Sequence, residues 1–265
     1  MWLWMFSIAA LSYASIVGGL YVFQRKLIYT PWHRPEYAHA FTEPSGAETV
    51  QILTEDGLSL RAWHYKAQEG NPTILYFHGN SGLLEDRIDK YQHLAAQGYG
   101  VLALSWRGFG KNPGNPSEQG LYTDARAAIT YATAQGISPA QMIFYGESLG
   151  TGVAVQMATE TTPRLLVLEA PYTSLTRRAQ EMHWYAFAGH LIEDKFDSLS
   201  KAGQVSCPVL VLHGAKDKVI PLAHGEALYA AFTSRKHLVV YPDRAHVDFD
   251  LEDMAKQVAA FDRVP

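Results

Sequence analysis

Six short apolar runs, at residues 73–77, 101–105, 142–145, 165–168, 209–212 and 238–241, punctuate the chain. Each is too short for a buried helix and too continuously apolar for a half-exposed strand, so each predicts a strand covered on both faces. Amphipathic stretches at 83–97, 117–135, 149–160, 222–234 and 251–261 separate or follow them. Strand alternating with helix implies a parallel sheet with helices on both faces. Ahead of these runs, alternation in residues 49–54 and 58–65 around Asp56-Gly57 predicts a β-hairpin. The expected fold is therefore α/β, with a mixed, mostly parallel sheet of about eight strands. One connection breaks the rhythm. Residues 171–207 are too many for a strand-to-helix loop and predict a short helical lid. It would stand at the carboxyl ends of the strands, where open α/β sheets bind ligands. The plainer alternative is an extra packing helix that touches no ligand.

The N-terminus is of another character. Residues 2–23 carry no charge over 22 positions, and Arg25 and Lys26 follow after Gln24. A helix of that length rises about 33 Å, enough for a hydrocarbon core of about 30 Å. Trp2, Trp4, Tyr21, Tyr29 and Trp32 lie near its ends, where aromatic belts form. We read residues 1–24 as a single transmembrane anchor, 25–47 (with Pro31, Pro35, Pro44 and Gly46) as a linker, and 48–265 as the globular domain. A cleaved signal peptide, cut near Ser12-Tyr13-Ala14, would need a basic start that the segment lacks. A buried core helix would be unusually long. Ala14 and Gly18 form a small-residue pair of the kind through which membrane helices associate. Arg25 and Lys26 put the domain in the cytoplasm by the positive-inside rule.

Composition narrows the functional classes. Net charge is −4, which offers no footprint for nucleic acid. The single cysteine, Cys207, excludes an internal disulfide and a cysteine-based zinc site. His64, His183, His190 and His224 show no metal-ligand spacing, so neither metal nor cofactor is expected.

The chemistry concentrates at three strand ends. Gly146-Glu147-Ser148-Leu149-Gly150 follows the 142–145 run and precedes a helical stretch, the setting of a nucleophile elbow. A serine hydroxyl needs a base, and His246 stands just past the last strand. The base needs an acid to fix its tautomer, and Asp217 stands past the preceding strand, before Pro221. Ser148, Asp217 and His246 thus occur in the chain order nucleophile, acid, base. Taken singly, His246 reads equally as a surface histidine and Asp217 as a helix cap. Glu169, at the end of the strand after the elbow helix, is a second candidate acid. Asp243, Asp248 and Asp250 flank His246 too closely to orient its ring and are assigned to the loop. An oxyanion requires two donors: the Leu149 N–H at the helix start, and the Asn80 N–H in Phe77-His78-Gly79-Asn80. His78 is read as structural, holding its loop.

With these residues in place, the chain resembles the α/β-hydrolase superfamily over roughly residues 48–262. It is most similar to the membrane-anchored, short-lid serine hydrolases, a branch that includes acyl-protein thioesterases and serine aminopeptidase-like proteins. The resemblance rests on His78-Gly79-Asn80, Arg107-Gly108-Phe109-Gly110, residues 114–120, the Ser148 elbow, Pro171-Tyr172-Thr173-Ser174, Cys207-Pro208, and His213-Gly214 through Asp217 to Pro221. Ser105-Trp106 stand where the branch often has Asp-Tyr, and Ser81-Gly82-Leu83-Leu84 where it often has a second small residue and Asn. Arg107 reads either as a ligand for a substrate carboxylate or as a side chain that locks loops together.

The expected function is a membrane-anchored serine hydrolase cleaving carboxylic esters or thioesters through an acyl-enzyme. Its partners would be a bilayer, through the N-terminal helix, and an acyl substrate such as a lipid or an acylated protein. One alternative is an aminopeptidase-like amide hydrolase, with Glu181, Glu193 or Asp194 of the lid binding a free amine. A silent, membrane-tethered binding module is the alternative from another class.

Overall fold

The computed structural model of the chain describes residues 2–30 and 43–263. Eight strands form one sheet: β1 (Ala47–Leu53), β2 (Ser59–Tyr65), β3 (Thr73–Phe77), β4 (Gly100–Leu104), β5 (Met142–Glu147), β6 (Leu165–Glu169), β7 (Val209–Gly214) and β8 (Lys236–Tyr241). Their order across the sheet is β1-β2-β4-β3-β5-β6-β7-β8. β1 and β2 pair antiparallel, as do β2 and β4, and every later pairing is parallel. The hairpin and the mixed, mostly parallel sheet expected from the sequence are both present.

Side chains alternate faces along a strand, and each face has its own core. Leu75, Phe77 and Phe144 face one way, with α3 (Glu118–Ala134), α4 (Leu149–Glu160) and α7 (Leu222–Ala231) packed over them. Ile74, Tyr76, Ile143 and Tyr145 face the other way, under α2 (Ile88–Ala96) and α8 (Leu251–Asp262). Residues 238–241 depart from expectation. β8 is only half-buried, because it is the sheet's edge and has a paired neighbour on one side alone.

The 171–207 excursion holds α5 (Leu175–Met182), a 3-10 turn (Trp184–Ala186) and the short α6 (Ala188–Leu191). The N-terminal α1 (Trp2–Ile28) continues four residues beyond the proposed anchor boundary and contains one stretch, Trp4–Ile28, long and apolar enough to cross a membrane. Tyr29 does not join an aromatic belt. It is 1% exposed and donates through its hydroxyl to Asp194 at 3.0 Å. Trp32, Pro31 and Pro35 lie outside the described residues.

Two buried carboxylates end the central strands. Glu147 and Glu169 are register partners on β5 and β6, so their like charges stand side by side. Lys90 of α2 bridges them, at 2.9 Å from Glu147 and 2.8 Å from Glu169. Arg87 adds a second cation on Glu147 at 2.6 Å. Tyr76 donates to Glu147 at 2.5 Å and Tyr145 to Glu169 at 2.6 Å. Burial alone would raise the Glu147 pKa, but Arg87 and Lys90 outweigh it and hold the group well below the usual carboxylate range. At Glu169 burial outweighs the single lysine, and the pKa rises. Removing the shared cation leaves Glu169 buried without a cation and Glu147 with Arg87 alone, and breaking a buried pair in this way costs about 3–5 kcal/mol. Lys90→Met is therefore expected to lower unfolding stability by that amount in chemical denaturation. A loss below about 1 kcal/mol, the size of an exposed pair, would contradict the clamp.

Candidate active site

Ser148 sits between β5 and α4 with φ 50° and ψ −116°, a conformation that L-residues rarely adopt. Two glycines permit it. A Cβ on Gly146 would stand 2.6 Å from the Gly150 carbonyl oxygen, and one on Gly150 would collide with the Phe77 carbonyl. The turn is held by Ser148 N–H donating to Glu169 O at 2.8 Å and by the Thr151 hydroxyl donating to Ser148 O at 2.6 Å. These constraints lift the serine hydroxyl to the carboxyl edge of the sheet.

Two loops bring the other groups to it. After β8, His246 Nε2 lies 3.0 Å from Ser148 Oγ. Its Nδ1 lies 2.7 Å from Asp217 Oδ2, past β7. Asp217 Oδ1 accepts from the Val219 and Ile220 N–H groups, each at 2.8 Å. Burial would raise the Asp217 pKa, but hydrogen bonds from His246 and Ile220 more than offset it and lower it. An ionised Asp217 takes the Nδ1 proton as its donor, which leaves Nε2 free to accept the serine proton. A cavity of roughly 280 Å³ opens beside this array, and Ser148, Leu149 and Asn80 all line it. Its remaining walls come from the lid, through Leu175, Met182 and Leu191, from Val219 and Ile220 in the loop after β7, and from α1. Asn80 is fixed in place: its side-chain amide donates to Ile28 O at 3.0 Å, and its carbonyl accepts from Thr30 N–H at 2.8 Å.

This arrangement has relatives. A family model described as serine aminopeptidase, S33 matches residues 68–199. The lysophosphatidylserine lipase ABHD12 of Danio rerio is 33% identical over 81% of this chain and 68% of its own. The chain belongs to the α/β-hydrolase superfamily. An uncharacterized protein of Mycobacterium tuberculosis is 36% identical over 93% of this chain and 89% of its own. Among solved structures, the Pyrococcus furiosus esterase Pf2001 superposes with a TM-score of 0.68 at 18% identity, covering 88% of this chain and 96% of its own. The α/β-hydrolase fold thus has an eight-stranded form here, with the long apolar α1 added in front.

Within this α/β-hydrolase the remaining sequence candidates fall into place. Glu169 is not beside His246; Lys90 and Tyr145 hold its carboxylate beneath the elbow. Asp243 pairs with Lys216, Asp248 accepts from Ala245 N–H, and Asp250 caps α8 through Asp253 N–H. Arg107 binds Asp124 and Asp56 at 2.7 Å each, so it locks α3 to the hairpin turn and takes no part in the cavity. His78 donates from Nδ1 to Gly79 O at 2.8 Å and accepts at Nε2 from Trp106 N–H at 3.2 Å. Trp106, at the position where the sequence departs from its branch, also donates from its ring to His78 O at 3.0 Å. Burial, aided by the Arg87 charge, lowers the His78 pKa to about 3. Among the described residues, no group of three or more His, Cys, Asp or Glu is arranged to hold a metal.

Two contributors escaped the sequence. Arg87 and Lys90 sit on an unremarkable amphipathic stretch; the only signal was a glutamate ending each of two buried strands, which requires a cation somewhere. The wall formed by α1 carried no signal, since an apolar run long enough for a bilayer says nothing of what its last turns touch.

Two outcomes follow. Asp217→Asn keeps an acceptor for Val219 and Ile220 but presents the wrong partner to His246. Turnover should fall about 10⁴-fold, as in a serine protease triad, while Glu169→Gln should lower unfolding stability far more than rate. Steady-state kinetics with thermal unfolding of both variants checks this, and the reverse ranking would contradict it. His78 is neutral in the fold with a pKa of about 3, against an ordinary value of 6.5. The unfolded chain binds its proton first, so His78 stabilises the fold fully above about 6.5 and loses that contribution as pH falls toward 3. Denaturation between pH 7.5 and 5 should show this slope in the wild type and a shallower one in His78→Gln.

Proposed function

We propose that this protein is a membrane-anchored serine hydrolase that cleaves a carboxylic ester or thioester of a single acyl chain. The observation that carries the reading is the line from Asp217 through His246 to Ser148, with each polar contact at 3.0 Å or less and an apolar-walled cavity at its end. Ser148 Oγ attacks the acyl carbon as His246 Nε2 takes its proton. The carbonyl oxygen gains charge and is held by the N–H groups of Leu149 and Asn80. Collapse breaks the bond to the leaving oxygen or sulfur, and His246 returns the proton to it. Water, deprotonated by the same nitrogen, then releases the acid from Ser148.

Contacts of α1 with the body support its retention as an anchor rather than removal as a leader. Arg25 pairs with Asp194 at 3.0 Å, Gln24 accepts from Glu193 N–H at 2.8 Å, and Thr30 bonds to Asn80. Arg25 and Lys26 beside the span orient the domain toward the cytoplasm. Esters are favoured over peptide amides because the lid carboxylates that would bind an amine are already engaged. Glu181 pairs with His224 and Arg177, Asp194 with Arg25, and Glu193 with Arg25. A lipid ester accords with the ABHD12 relative.

The test is fluorophosphonate labelling of membranes containing the wild type or Ser148→Ala. We expect labelling of the wild type alone, and loss of p-nitrophenyl ester turnover in the variant by about 10⁶-fold. Equal labelling of both proteins would overturn the reading.

A further inference from the structure

The cavity beside Ser148 is not closed by the globular domain alone. Leu20, Gln24, Leu27 and Ile28 of α1 line it, opposite Leu175 and Met182 of the lid. These α1 residues fall at i, i+4, i+7 and i+8, which is one face of a helix. The apolar run ends at Phe23, so this face straddles the point where the helix would leave the hydrocarbon. The lid lies along the same helix further up. Tyr13 donates to Tyr185 O at 2.7 Å, and Tyr13 is ten residues before Phe23, about 15 Å along the axis. Around Tyr185, the side chains of Met182, Trp184 and Phe187 are exposed, at 55%, 71% and 63%. Exposed apolar groups on a lid tip that is itself tied to the apolar part of α1 belong at the level of the lipid.

We infer that the last turns of the anchor are a wall of the acyl site, so that the helix selects the substrate's chain as well as holding the enzyme at the membrane. The inference rests on the serine-hydrolase reading above. Its substrate is a single-chain membrane amphiphile with an ester or thioester near the headgroup level. The volume supports one chain: roughly 280 Å³ is at or below the lower end of small-molecule pockets, about 300–1,000 Å³. The chain passes from the leaflet into the space between α1 and the lid without crossing water, and its carbonyl reaches Ser148 between Leu149 and Asn80. Because the anchor is the wall, chain-length preference is encoded at Leu20 and Leu27, outside the domain that carries the triad.

The experiment uses the full chain in membranes and compares p-nitrophenyl butyrate with p-nitrophenyl palmitate in the wild type, Leu20→Trp, Leu20→Ala, Val22→Trp and Ser148→Ala. Val22 is 71% exposed and does not line the cavity, so Val22→Trp controls for added bulk on the same helix. We expect the palmitate-to-butyrate ratio of kcat/KM to fall about tenfold or more in Leu20→Trp, to stay at or above the wild-type value in Leu20→Ala, and to remain unchanged in Val22→Trp. A Leu20→Trp ratio that stays at the wild-type value, or a proportional loss at both chain lengths, would overturn the inference while leaving the hydrolase reading intact. Turnover that survives in Ser148→Ala would overturn the hydrolase reading and this inference with it.

Discussion

Ser148 occupies a backbone conformation that costs about 1–3 kcal/mol when the surroundings do not enforce it, and much of the central structure is arranged to enforce it. The residue before it, Glu147, is buried beneath the turn, where Arg87, Lys90 and Tyr76 grip it. The strand beside it sends Glu169 into the same clamp and lends its carbonyl to the Ser148 N–H. Above, the absence of a side chain at Gly150 lets α4 approach β3 until only backbone fits between them. The buried charges therefore act below the strained turn, where they hold the peptide plane, and not in the chemistry above it. An acid in that position looks like a triad member in the sequence, which is why Glu169 competed with Asp217 there.

A second constraint joins the elbow to the N-terminal helix. Asn80, proposed as an oxyanion donor, is bonded on both sides of the α1 exit: to Ile28 O through its amide and to Thr30 N–H through its carbonyl. Asp194 of the lid gathers Arg25, Tyr29 and the Glu118 N–H at one point, so helix, lid and α3 share a single buried carboxylate. A tether alone needs none of these contacts. On the proposed reading, α1, the lid and the loop that carries Asn80 are joined through Asn80 and Asp194.

The strands, helices and order of reactive groups were legible because they obey periodicity and chain order, which are local properties. The run at 73–77 and the elbow at 146–150 each declare their structure within a few residues, and Ser148, Asp217 and His246 each follow a strand that can be counted. What was not legible depends on contacts between distant segments. The half-exposed β8 looks as apolar as a central strand, and only its place at the sheet edge distinguishes it. Tyr29 reads as an interfacial aromatic until Asp194, far along the chain, is found beneath it. Lys90 has no feature that separates it from a solvated lysine, yet it bridges two buried strand-end glutamates.

The central claim is that Ser148 carries the acyl group during turnover. Full-length protein in membranes can be mixed briefly with a palmitoyl ester, quenched in acid and digested, and the peptide containing residues 146–150 weighed by mass spectrometry. The account predicts a palmitoyl adduct on Ser148 that appears within one turnover and disappears when substrate is exhausted. Sustained turnover with no adduct on Ser148, or with the acyl group on another residue, would contradict it.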